Sequence, residues 1–316
     1  MSFPPLLFGY FFLATAELAV GISVVSGKLT AGYMHPFVYI GARFLIAFFV
    51  LSAMLFLGKK PFLCETHPTG RLTPYDGKWL LLQGLMGGVI FNLIFYYGVN
   101  YTTATSAGII GSALPAIITL CAYFILKERL NFSKLVALGF AVLGIVIIGM
   151  DDTHAVETLS GNHIGDFFIF IAMFPEAIYM IFAKKLSNRV TALGSAAAVN
   201  VIGLIGLFPF FMYGLSQTEL SLIPMAAWNA LIIGALSGIL FFWAWPKGLS
   251  YGVQMTTAAL FGGLMPVFTA LIAYLVLHEY LTIYNIIGML FVFISICLGS
   301  GLKNYLIKKP IHTYGT

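Results

Sequence analysis

Residues 98–150, GVNYTTATSAGIIGSALPAIITLCAYFILKERLNFSKLVALGFAVLGIVIIGM, read as a turn followed by two apolar stretches around a charged hinge, Lys127-Glu128-Arg129. The pattern returns at residues 248–300, GLSYGVQMTTAALFGGLMPVFTALIAYLVLHEYLTIYNIIGMLFVFISICLGS. Sliding Pro115 onto Pro266 pairs Leu120 with Leu271, Ala122 with Ala273, Tyr123 with Tyr274, Leu126 with Leu277, Glu128 with Glu279 and Leu130 with Leu281. Gly98 and Tyr101 match Gly248 and Tyr251 at a spacing one shorter, so one residue is inserted ahead of the proline. The similarity runs further back, Gly84, Gly88 and Phe91 matching Gly234, Gly238 and Phe241. An internal repeat on this scale decides the fold before any local propensity does.

Composition says where such segments can live. The chain is 60% apolar and 9% charged, with a mean hydropathy of +0.98, against roughly 25% charged residues in soluble domains. A soluble fold has too little interior for this, whereas a bilayer solvates apolar side chains directly. Cys64, Cys121 and Cys297 share no ligand spacing, so neither a disulfide framework nor a metal site is indicated. No cofactor is implied.

Ten apolar stretches follow one another: Pro5 to Ser26, Pro36 to Leu57, Leu80 to Val99, Thr103 to Leu126, Leu135 to Met150, Phe167 to Ala183, Ala192 to Tyr213, Ala226 to Pro246, Val253 to Leu277 and Ile283 to Leu302. Strand-like alternation is absent, and hydrocarbon leaves unpaired backbone groups unsatisfied, so each is expected to be a helix. Ala14-Thr15-Ala16 imitates a signal-peptidase site, but no basic residue precedes it, which favours a retained first helix. The expected fold is an all-α membrane protein with ten transmembrane helices as two inverted five-helix repeats, residues 1–151 and 152–316.

Charge sets the orientation. With a cytoplasmic N-terminus, 14 of the 16 basic residues fall on the inner side, leaving Lys28 outside and Arg43 within a helix. Both termini are then cytoplasmic and the acidic linker Asp151 to Ile164 lies outside. Five helices per half is an odd number, so the second half is turned over, a plan common in secondary transporters.

The glycine-rich third helix, the run Tyr101-Thr-Thr-Ala-Thr-Ser-Ala, Pro115, Lys127-Glu128-Arg129-Leu130, and Pro36 followed by Arg43-Phe44 resemble the EamA pattern of the drug/metabolite transporter superfamily. The second copy matches through Pro266 and Glu279. The resemblance implies a ten-helix inner-membrane transporter, its central cavity lined mainly by helices 1, 3, 4, 6, 8 and 9, and favours export of amino acids or related metabolites, or multidrug efflux, with uptake left open. The chain departs from it at Ala16-Glu17 and Pro175-Glu176, where the family usually has Trp-Ala or Trp-Gly.

Three charges lie within spans: Glu17, Arg43 and Glu176. An ionisable residue there costs roughly 2.5 to 3.5 kcal/mol on insertion scales, so an idle one is unusual. The expectation is that Glu17 and Glu176, counterparts in the repeat, face the cavity and bind a cationic group, exchange protons, or both. A carboxyl in a low-dielectric site has its neutral form favoured. The competing reading pairs Glu17 with Arg43 and ties Glu176 to a neighbouring helix. Asn92 and Tyr96, four apart on one face, Tyr179 three residues after Glu176, and Asn200 complete the candidate lining. Trp243 and Trp245 are assigned to the interfacial belt. The pairs Gly84/Gly88 and Gly234/Gly238 are expected to let helix backbones approach, and Pro115 and Pro266 to kink their helices.

Gly248-Leu249-Ser250-Tyr251-Gly252 fits G-x-S-x-G, but no strand precedes it, so a nucleophile elbow is rejected. No phosphate loop or zinc motif is present, which points away from an enzyme and from ATP-driven transport. The partners expected are a small-molecule substrate and the lipid bilayer, with no nucleic acid.

Overall fold

With no water to satisfy backbone groups in hydrocarbon, such a sequence has to hydrogen-bond within its own segments, and the computed structural model is helical throughout. It describes residues 5–99, 101, 110–111, 113–149, 163–278 and 281–299. We label its apolar helical segments in chain order. α1 is Pro5–Thr30 and α2 Pro36–Phe56; α3 runs Pro74–Gln83, a π-helical Gly84–Ile90 and Phe91–Val99. α4 is Leu114–Cys121 with π-helical Ala122–Leu126, α5 is Phe132–Gly149, α6 His163–Leu186 and α7 Ala192–Ser216. α8 is Met225–Ser250, α9 is Met255–Phe261 and Leu264–Leu277 joined through Gly262 and Gly263, and α10 is Ile283–Gly299. Seven spans are long and apolar enough to cross a membrane, whereas α4, α5 and α10 carry shorter apolar runs, Leu114–Leu126, Phe132–Ile147 and Ile283–Gly299. Among the described residues the only β pairing is an isolated bridge between Leu63 and Val190.

α3 starts six residues before the apolar run. Its first turn is polar, and it is held by a capping box: the Thr73 hydroxyl accepts from Asp76 N, and Asp76 accepts from Thr73 N, with Pro74 at the first helical position. Further along, the π turn leaves carbonyls without their usual helical donors. Asn92 Nδ2 donates to the carbonyls of Gly87 and Gly88, both at 3.1 Å, and so repairs the break.

The repeat appears in the backbone. Lys127 and His278 stand at aligned positions, and both close their helix in the left-handed region at φ 55°. Their amides donate to Ala122 O and Ala273 O, again an aligned pair. The principal packings also map onto one another when helix n is exchanged for n+5. α1 on α8 mirrors α6 on α3, α1 on α9 mirrors α6 on α4, and α2 on α8 mirrors α7 on α3, while α2 on α7 and α5 on α10 map onto themselves. Gly98 seats on the α6 backbone at Ile169, and its partner Gly248 on the α1 backbone at Gly9. Glu279, the stretch Thr102 to Ala107, the linker up to Asn162 and the chain beyond Gly299 lie outside the described residues.

Two sequence expectations change in detail. Gly88 does meet backbone, at Gly203 and Val199 O, but Gly84 faces the Ile202 side chain. Gly234 and Gly238 instead leave room for the tips of Tyr39 and Arg43, because α2 directs long polar side chains at that face of α8. Pro115 and Pro266 sit in the first turns of Leu114–Cys121 and Leu264–Leu277, where a missing N–H breaks no helical bond. In α9 the interruption is at Gly262–Gly263, ahead of the proline.

Polar groups fasten the chain at the ends of α3, α4 and α6. Glu128 accepts from the amides of Met255 at 2.6 Å and Thr256 at 2.9 Å, capping the start of α9 across the repeat boundary. Lys134 Nζ donates to Gln254 Oε1 and Thr256 Oγ1 beside it. Asp76, fully buried, takes Arg189 Nε on one oxygen and His67 Nε2 on the other. The Arg189 guanidinium is held above its ordinary range by that carboxylate. Phe11, Phe56, Phe124, Phe132 and Phe293 project outward, as lipid-facing side chains do.

Candidate functional site

The centre of the bundle is built by α1, α3, α6 and α8. α1 runs antiparallel to α8, with Leu13 at Gly248 and Ser26 at Gly234. That register sets Glu17 level with Ala244 and Trp245. Glu17 is 3% exposed, and its Oε1 has no hydrogen-bond partner. Glu176 follows Pro175 in α6 and keeps part of its surface accessible. Glu176 and Tyr179, three residues apart, share a face of α6. Tyr179 is fully buried, its ring seated on Gly87 in the π turn and flanked by Phe241 and Phe242 with centroids 6.1 and 5.6 Å away. Its hydroxyl also has no partner.

Trp245 was misplaced by the sequence. It lies fully buried beside Phe241, with Nε1 unpartnered, and does not belong to the interfacial belt. α8 continues through Pro246 to Ser250, so a tryptophan that looks terminal by hydropathy is more than a turn inside the helix. Three buried polar atoms, Glu17 Oε1, Tyr179 Oη and Trp245 Nε1, thus stand unsatisfied in the packed centre. Such orphans are uncommon, because leaving a buried polar group unpaired costs about 1–3 kcal/mol.

Arg43 does not pair with Glu17. Among the described residues the ion pairs are those of Asp76 with His67 and Arg189. Arg43 lies over the Tyr39 ring at 5.4 Å with its guanidinium against Gly238, and its Nε is buried without a partner. The other candidates are engaged elsewhere. Asn92 serves the π turn, and Asn200, buried, donates to Ala196 O of its own helix at 2.8 Å. Tyr96 Oη lies 3.3 Å from His35 Nε2, and its ring is 4.3 Å from that of Phe37, near the start of α2. His35 in turn lines a surface pocket of about 410 Å³ with Thr218 and Glu219. The structure therefore leaves Glu17, Tyr179 and Trp245 buried and unpartnered, with Glu176 on the α6 face of Tyr179, and engages Asn92, Tyr96 and Asn200 elsewhere.

A family model for EamA-like transporters matches this chain twice, over residues 7–150 and 163–300. The chain belongs to the EamA-like transporter family. Its family members are transporters and not enzymes. Among relatives, a Bacillus subtilis protein described as uncharacterized transporter YetK is 30% identical over 95% of this chain and 87% of its own length. A second from that organism, uncharacterized transporter YyaM, is 24% identical over 93% of each chain. One solved crystal structure superposes with a TM-score of 0.74 over 96% of this chain and 98% of the other, at 15% identity, and so shares the fold.

Proposed function

We propose that this EamA chain is a secondary transporter that moves a small polar or amphipathic metabolite bearing an amine across the inner membrane by alternating access. Export coupled to protons is the direction we favour, with amino acids or related compounds as the substrate class. Residues 1–151 and 152–316 form the two repeats, inverted relative to one another, with both termini cytoplasmic. The exchange of helix n for n+5 in the packing supports two equivalent halves, and an odd helix number per half supports inversion.

The observation that carries the reading is a pair of acidic residues on equivalent helices, Glu17 buried with its Oε1 unpartnered and Glu176 on the face of α6 that carries the unpartnered Tyr179. Two carboxyl groups turned toward one low-dielectric cavity repel when both are ionised, and either a proton or a cationic guest relieves that repulsion. Tyr179, Phe241, Phe242 and Trp245 supply aromatic faces that favour an organic cation. The same walls suit bulkier amphipathic cations, which favours drug efflux as the second reading.

Thermal stabilisation of the purified protein by amino acids, polyamines, nucleosides and cationic drugs at two pH values selects the ligand. Flux of that ligand into proteoliposomes under an imposed pH gradient then tests the mechanism. Glu176→Gln and Glu17→Gln are each expected to lose gradient-driven flux. Full activity with unchanged pH dependence in both variants defeats the proposal, and pH-insensitive flux in the unaltered protein makes it an uncoupled facilitator.

A further inference from the structure

Tyr75 and Trp79 stand at the start of α3, beside the end of α6, their rings 5.9 Å apart. Three cations converge on them. Lys185 Nζ lies 3.6 Å from the Trp79 centroid and 5.8 Å from that of Tyr75. Lys78 Nζ lies 5.6 Å from the Trp79 centroid, and the Arg189 guanidinium 5.1 Å from that of Tyr75. Among the described residues the carboxylate paired with this group is Asp76, which is fully buried and committed to Arg189 and His67.

Lys78 and Lys185 therefore have no acidic partner among the described residues, although both ammonium groups approach one indole and lie within about 9 Å of each other. Two ammonium groups so placed, with no carboxylate between them, form a local positive patch that suits an anion. Lys78 and Tyr75 are exposed, while Lys185 and Trp79 are half-buried, so the cations open outward over an aromatic floor. Phe182 packs beneath Trp79 at 4.8 Å. The group sits at the ends of two spans, where Trp, Tyr and Lys meet the headgroup layer.

From this geometry we infer that Lys78, Lys185 and Trp79 form a binding site for the phosphodiester headgroup of an anionic phospholipid. The ring fixes Lys185, the two ammonium groups take the phosphate oxygens, and the acyl chains run down the outer faces of α3 and α6. Each lysine near an anionic surface is worth about fivefold in affinity, so two account for about 25-fold.

The test is native mass spectrometry of the full chain in micelles carrying phosphatidylglycerol or phosphatidylcholine, with melting in phosphatidylcholine alone as the folding control. The unaltered protein is expected to retain phosphatidylglycerol preferentially. Lys78→Gln/Lys185→Gln is expected to lose about 25-fold of that preference, Lys78→Gln alone about fivefold, and Lys60→Gln/Arg129→Gln none. Should the double variant unfold, the exposed Lys78→Gln carries the test. Equal retention of the two lipids, or an unchanged preference in Lys78→Gln, overturns the inference. Complete displacement of phosphatidylglycerol by millimolar inorganic phosphate overturns it too, and makes this a site for soluble anions.

Discussion

Gly87→Ala probes the seat of Tyr179. A Cβ built at residue 87 falls 2.6 Å from Cγ and 2.7 Å from Cδ2 of that ring, about 1 Å inside ordinary carbon contact. The ring has no free side to move into, since it is fully buried and hemmed by Phe241 and Phe242. Overpacking of this kind costs about 1–3 kcal/mol. The push also displaces the hydroxyl from its place in the centre, so flux is expected to fall with stability. Tyr179→Ala alone leaves a cavity, at about 3–5 kcal/mol for a large aromatic. In the double variant the new methyl group occupies part of that space, giving a coupling of about 1–3 kcal/mol between the two changes. The measurement is reversible unfolding of the full chain in mixed micelles, run as a double-mutant cycle. An unperturbed Gly87→Ala protein, or costs that simply add, refutes the packing argument.

Other contacts make equally direct predictions. Glu128→Ala removes two charge-assisted bonds to the start of α9 and should cost about 1.5–3 kcal/mol in the same unfolding assay, with Glu128→Gln losing less because its amide oxygen still accepts. Asp76→Ala strands Arg189 and buried His67 together and should cost about 3 kcal/mol or more, measured against Asp76→Asn, which keeps an acceptor. Trp245→Phe deletes a donor that has no partner but leaves part of a fully buried ring's volume unfilled, so the two effects offset and unfolding should move by no more than about 1 kcal/mol, while ligand-induced stabilisation falls if the guest uses that N–H.

The repeat could be read from spacing alone, because Lys127 and His278 adopt the same left-handed cap at aligned positions. Glu17 and Glu176 were equally visible, since a carboxyl amid apolar residues stands out whatever its surroundings. Less visible was how neutral polar groups would be used. Asn92 and Tyr96 do share a face, yet Asn92 answers to a π turn that no periodicity announces, and Tyr96 to His35 from another segment. Gly234 and Gly238 fit a helix-dimer spacing, but the pattern is the same whether backbone or the tips of Tyr39 and Arg43 fill the groove. Trp245 was lost to hydropathy, which sees where apolar residues cluster and not how far the helix continues. The start of α3 was missed for the same reason, being fixed by a hydrogen-bonded cap on a polar turn.

The broadest packings all join a helix of one half to a helix of the other: α1 to α8, α2 to α7, α5 to α10 and α3 to α6. Synthesis runs from one end, so a nascent chain reaching residue 150 has made half of every major seam and completed none. Until α8 emerges Glu17 has no burial site, and until α9 does Glu128 has no helix to cap. A ribosome stalled at the midpoint thus releases a product without a core of its own, a natural substrate for membrane proteolysis. Two fragments made separately would have to find each other within the bilayer before either acquired an interior.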